Sequence, residues 1–259
     1  MTQACQSSSK EINHEYYKHY WNENMIDYLK HSAGSRWFNH LLELLLSRLP
    51  RTQIKSVADV GCGVGNKTAM MARYYPEAEV SGFDFSAEGI EAARQHHRET
   101  NLQFATEDIT ESSYGKRFDL ITAFDVLEHI EDWETLTRKL IDVNNRYMII
   151  CSPVGRMRPY EVHIGHFRNF KVNEIESFME GHGYKTLETF YAGFPFYSPI
   201  LRDLTNRFYK NYADLPQSKM SFVSKRVHDL WYVLFRFCST RKRHGDIFVG
   251  LFEKVTPGA

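Results

Sequence analysis

Cysteine is scarce in this chain of 259 residues: four, at positions 5, 62, 151 and 238, none in a C-x-x-C pair or other metal-type spacing. That argues against a disulfide framework or a cysteine zinc site and leaves the thiols as small buried groups. Net charge is also missing, with 32 Lys and Arg against 32 Asp and Glu, which argues against a protein that binds nucleic acid over its whole surface. The first thirty residues hold no apolar run, being broken by Glu11, Glu15, Glu23 and Asp27; neither a leader core nor a membrane span is expected there, and the expected location is the cytoplasm. What remains is ordinary for a globular chain. A composition 42% apolar and 25% charged, at this length, suits one α/β domain with additions.

The chain is organised around residues 57–68, VADVGCGVGNKT. An apolar run, Val57 to Val60, meets glycines at 61, 63 and 65, and a helix-compatible stretch follows: strand, tight turn, helix. Such a turn lets a ligand lie against bare main chain near the unpaired N–H groups of a helix start. The dinucleotide fingerprint G-x-G-x-x-G puts its third glycine five residues after the first. Here the third glycine falls four residues after the first, and Asn66 holds the fifth place.

The pattern G-C-G-V-G, with Asp59 two residues before it, resembles the cofactor loop of class I S-adenosylmethionine-dependent methyltransferases. A carboxylate at 59 suits the ammonium of a methionine-like moiety and would repel a pyrophosphate. Asp84 ends the next strand, nineteen residues beyond Gly65, where a βαβ unit presents an acid to a ribose; Ser86 is the better N-cap for the helix that follows. In the resemblance, Asp108 accepts from the adenine amine and Ile109 packs on the ring. A fourth apolar strand, Phe118 to Phe124, runs into Asp125, Val126, Leu127, Glu128 and His129. The resemblance therefore assigns cofactor contacts to Asp59, Gly61, Cys62, Gly63, Asp84, Phe85, Asp108, Ile109, Phe124 and Asp125. It implies S-adenosyl-L-methionine as cofactor and S-adenosyl-L-homocysteine as product.

The implied fold is α/β: a Rossmann-like, seven-stranded, mostly parallel sheet with N-terminal helices and a helical insertion before the last strand. The expected division is a helical cap over 1–50, a core over 51–194 and 245–259, and an insertion over 195–244. Helices are expected over Lys10 to Leu29 and Trp37 to Leu49. Tyr16 and Tyr20 share a helical face there and offer a cation–π wall to a sulfonium, or simply fill the helix–sheet interface. His129, after the fourth strand, and His163 and His166, in the long loop after the fifth, are candidate bases for an acceptor hydroxyl. Asp125, Glu128 and His129 also read as ligands for a divalent ion, but hard cations want more carboxylates than are visible, so no metal is assigned.

The expected activity is methyl transfer to a small-molecule or lipid-like acceptor, most readily at oxygen. Nitrogen or RNA acceptors, or a catalytically silent binding subunit, remain open. Between Phe196 and Arg243 ten Lys or Arg face three Asp. Within that stretch Val223, Val227, Leu230, Trp231, Leu234 and Cys238 recur at helical spacing. A lid buried on its own domain, a dimer contact in a chain otherwise monomeric, and a peripheral membrane contact through 196–243 all suit such a helix. Nucleic acid does not, because the aromatics lie among the aliphatics. As a lid it would cap the acceptor pocket, with Phe194, Phe196 and Tyr197 at the entrance.

Overall fold

The computed structural model describes residues 17, 20–111, 114–208, 218–239 and 244–255, and statements below concern these. Tyr16 lies outside them. Seven strands form one sheet in the order β3-β2-β1-β4-β5-β7-β6: β1 Ser56–Val60, β2 Glu79–Asp84, β3 Leu102–Thr106, β4 Phe118–Phe124, β5 Asn144–Pro153, β6 Tyr184–Ala192 and β7 Ile247–Lys254. The first five pair in parallel; β7 runs antiparallel to both β5 and β6.

The central strands are apolar on both faces because both are covered. Along β5, Tyr147, Ile149 and Cys151 join the core on one side of the sheet, while Met148 and Ile150 join the other. The first core is filled largely by α2 (Ala33–Leu46), whose Trp37, Leu41, Leu42, Leu45 and Leu46 are fully buried beside Met71 and Ala72 of α3 (Asn66–Tyr74). The second holds Trp133, Leu136 and Leu140 of α5 (Trp133–Val143), after α4 (Ala87–His96) in chain order. Each such leucine carries about 2–5 kcal/mol against truncation to Ala.

Caps explain where the helices begin. The Asn22 side chain accepts from the N–H groups of Asn24 and Met25, so a helix, α1, starts afresh at Glu23 and runs to His31 within and just past the expected first helix; Tyr17 and Tyr20 before it are also helical. Ser32 closes α1 and caps α2, whose start moves from the expected Trp37 to Ala33. A short helix, α6 (Pro159–His163), sits in the loop after β5, and α7 (Glu174–Gly181) precedes β6.

Before β7 come a π-type turn (Phe196–Leu201), α8 (Arg202–Phe208) and α9 (Phe222–Arg236). The face that α9 turns inward is only in part the one the periodicity suggests. Of the expected stripe, Trp231 and Cys238 go to the core, joined there by Tyr232 and Phe235, whereas Val223, Val227 and Leu230 are exposed. No described helix is long and apolar enough to cross a membrane.

Candidate active site at the carboxyl edge of the sheet

Strands that run parallel end along one edge, and here β1, β2, β3 and β4 deliver their following residues to a single cavity of about 1710 Å³. Asp59, Asp84, Asp108 and Asp125 all line it, with Gly61, Cys62, Gly63, Phe85, Ile109 and Phe124. Gly61, Gly63 and Gly65 have positive φ, and a Cβ on Gly63 would stand 2.7 Å from the Trp21 ring. Glycine is required there by conformation and by packing.

The buried carboxylates are held before any ligand arrives. Asp84 accepts the Gly63 N–H at 2.8 Å and the Ser86 N–H at 2.9 Å, which ties the end of β2 to the glycine turn. Asp59 accepts one hydroxyl on each oxygen, from Thr68 and Thr122, both at 2.7 Å. Burial raises the pKa of both acids, and these hydrogen bonds oppose it. Each carboxylate oxygen offers more than one acceptor direction, so lone pairs remain for a ligand. Asp108 bonds Thr110, through its N–H and hydroxyl, at the end of β3.

The N-terminal aromatics cover this edge. Tyr17 stacks on Trp21 at 5.8 Å and meets Phe85 and His129 edge-on at 5.8 and 6.0 Å, so one ring spans the loops after β2 and β4. Tyr20 lines the cavity, and Trp21, which sequence reasoning did not single out, lies directly over the glycine turn. Its buried indole Nε1 has no hydrogen-bond partner. Trp21 emission should therefore change when S-adenosylhomocysteine is added, and Trp21→Phe should remove that change; a signal that survives in Trp21→Phe would place the ligand elsewhere.

After β4 the backbone turns sharply at Asp125 (φ 56), whose N–H bonds the Cys151 carbonyl. A left-handed non-glycine residue is strained, and strain of this kind gathers at functional sites. Asp125 is exposed to the cavity that it lines; the protein packed around that cavity raises its pKa, and Lys67 and then Arg202 act against that. Glu128 is fully buried, with one oxygen taking the Ser152 hydroxyl at 3.1 Å and Oε1 without a partner. Its pKa is pushed well above the carboxylate range by burial first and by Asp125 second. His129 and His166 pack edge to face at 4.6 Å. Burial, and for His129 also His166, lowers their pKa values to about 3 and about 4, so both imidazoles are neutral at pH 7. Glu128, His129 and His166 each offer a ligand atom within 4.8 Å of the others, a set that can hold a divalent ion.

Three expectations need correction. His163 ends α6 on the exposed surface, away from the cavity, because Glu161 is the residue that α6 turns inward. His166 lies behind His129 and does not line the cavity. Phe194 is 49% exposed and Phe196 packs against the core, so of the three entrance aromatics only Tyr197 reaches the cavity, where its ring leans on Trp37. Arg202, Tyr160 and Lys67 line it instead. Arg202 pairs with buried Glu161, and Arg158 with Asp203 at 2.6 Å and Asp246 at 2.9 Å, fastening α8 to the loop after β5 and to the approach of β7.

The sheet order, the glycine turn and the acids that follow successive strands are those of a class I methyltransferase. Residues 52–187 match the methyltransferase domain family, and the chain belongs to that family. It is 28% identical over 140 residues to a malonyl-[acyl-carrier protein] O-methyltransferase of Acetivibrio thermocellus, a match covering 52% of this chain and about half, 49%, of that relative. A trans-aconitate 2-methyltransferase of Escherichia coli O139:H28 is 27% identical over 204 residues, covering 72% of this chain and 80% of the relative. Among solved structures, the N-methyltransferase NodS of Bradyrhizobium japonicum, in complex with S-adenosylhomocysteine, superposes with a TM-score of 0.59 at 16% identity, over 93% of this chain and 98% of that one.

Proposed function

We propose that the chain transfers a methyl group from S-adenosylmethionine to a small or lipid-like acceptor, at oxygen. The observation that carries this reading is the cavity itself. Single-ligand pockets run to about 300–1,000 Å³, so about 1710 Å³ has room for cofactor and acceptor side by side. The donor set fits the cofactor: Asp59 suits its ammonium, Asp84 the ribose hydroxyls, Asp108 the adenine amine, and Ile109 and Phe85 the ring. When bound, the cofactor supplies a methyl on a positively charged sulfur. The chain's part is to orient the acceptor, exclude water and take a proton.

The rest of the cavity describes the acceptor. Met25, Leu29, Phe38, Leu201, Val227 and Trp231 make an apolar wall, and the Lys67 ammonium lies 5.2 Å from the Phe124 ring centroid and 5.9 Å from that of Phe38. An apolar body carrying an acidic group suits those surroundings. His129 is the one candidate base that reaches the cavity, which favours an acceptor hydroxyl. Formation of S-adenosylhomocysteine from S-adenosylmethionine with pooled extract acceptors tests the reading; tight cofactor binding without turnover would support the silent subunit instead.

Asp84→Ala removes the ribose acceptor and also releases the Gly63 N–H. A hydrogen bond to a charged group contributes about 1.5–3 kcal/mol, so cofactor affinity should fall about 10- to 100-fold by calorimetry. Unchanged affinity would sink the assignment. A second reading is favoured by the closeness of Glu128, His129 and His166: a divalent ion held there would place a positive charge beside Asp125. Manganese or zinc should then raise the melting temperature of the protein and not that of Glu128→Gln.

A further inference from the structure

An amphipathic helix normally turns its one apolar arc inward, but the apolar arc of α9 is too wide for the core to cover, and it has an inner and an outer part. The inner part is satisfied by the core. On the outer side stand Phe222 (72% exposed), Val223, Leu230, Val233 and Phe237 (78% exposed). At 100° per residue these fall within an arc of roughly 100°, and Val227, half exposed, extends it to the cavity that it lines. Contiguous apolar surface of this kind marks a binding face. Arg226 projects from within the arc and exposed Arg236 flanks it.

We propose that the outer face of α9 docks on an anionic phospholipid bilayer. Charge decides the occupant. Over residues 218–239, Lys219, Lys225, Arg226 and Arg236 stand against Asp229, a net charge of +3, with Arg226 paired to Asp229 at 3.0 Å and Lys225 to Asp27 at 3.2 Å; Arg241, Lys242 and Arg243 come five to seven residues after the end of α9 in the sequence. A second copy of the same face would bring its net positive charge against its own kind, and like charges across an interface oppose pairing. Anionic headgroups complement them, while phenylalanines near the two ends of the helix sink into the acyl boundary. The inner flank of the helix, at Val227, His228 and Trp231, is a wall of the cavity. An apolar acceptor can thus enter from the bilayer without crossing water, an extension that rests on the methyltransferase reading; the docking does not.

The test is sedimentation of the full chain with vesicles of phosphatidylcholine, alone and with phosphatidylserine. Binding is expected only with phosphatidylserine and should weaken with salt. Arg226→Glu should lower it about fivefold or more, and Phe222→Ser with Phe237→Ser at least tenfold. Neither change touches the cavity, so S-adenosylhomocysteine affinity should stay as it is; this separates failure of docking from failure of the functional reading. Absence of vesicle binding by the unaltered chain would overturn the proposal. So would a stable dimer in solution that Phe222→Ser with Phe237→Ser converts to monomer, since the face would then belong to a second copy.

Discussion

His129→Ala is expected to lower turnover about 10²- to 10⁴-fold while cofactor affinity stays nearly unchanged. The size follows from position: His129 lines the cavity beside Asp125, whereas His163 is exposed and His166 lies behind it. A pKa of about 3 makes His129 a weak base at rest. Weakness is tolerable here, because a hydroxyl becomes strongly acidic as its oxygen takes a methyl group, and the proton can then pass to a neutral imidazole. The pH profile carries the sign. A base works when deprotonated, so activity should persist as pH falls through 6.5, the ordinary histidine value, and fail only much lower. Stability sets the practical limit. Lowered pKa values at His129 and His166 mean that the unfolded chain binds more protons than the folded one between about 3 and 6.5, so their contribution to stability is present above 6.5 and lost as pH falls through that window. An activity limb near 6.5 at constant melting temperature would rule His129 out, and an equal loss in Asp125→Asn alone would transfer the role to Asp125.

What the sequence disclosed and what it hid divide along a physical line. Asp59, Asp84, Asp108 and Phe124 could be placed together because each ends a strand or follows one, and parallel strands end on one edge. The long loop after β5 has no period, so nothing in it distinguishes His163 from His166; that depends on which way α6 turns, and Glu161 decides it by pairing with Arg202, 41 residues away. The α9 stripe was only half right, for a different reason: Trp231 and Cys238 meet the core, and Val223, Val227 and Leu230 do not. With apolar residues over most of its circumference, spacing alone does not say which part meets the core, and the choice is made by Trp37 and Tyr197, against which Phe235 packs. Trp21 gave no local signal because its role is to cover glycines more than forty residues further on.

Arg202→Ala should be the most destabilising single change near the site. The Arg202 side chain is 4% exposed and its partner Glu161 1% exposed, so removing the guanidinium leaves a buried carboxylate whose charge is balanced only by hydrogen bonds from the Arg158 N–H, the Asn169 amide and the Tyr160 hydroxyl. Loss of one member of a buried pair costs about 3–5 kcal/mol, and the Tyr160 hydroxyl and the Asp246 carbonyl, both at 3.3 Å, lose a donor as well. The pair also has a mechanical role. It joins α8 to the loop after β5, and α8 with α9 lines the part of the cavity proposed above to take the acceptor. Two readouts should therefore part company: the Michaelis constant for acceptor should rise sharply in Arg202→Ala, while S-adenosylhomocysteine affinity, set at the glycine turn, should change little. Replacing the pair together, Arg202→Met with Glu161→Gln, removes the orphaned charge and should recover most of the melting temperature without recovering the Michaelis constant. Recovery of both would mean that the pair supports the fold alone and that other contacts hold the lid over the acceptor.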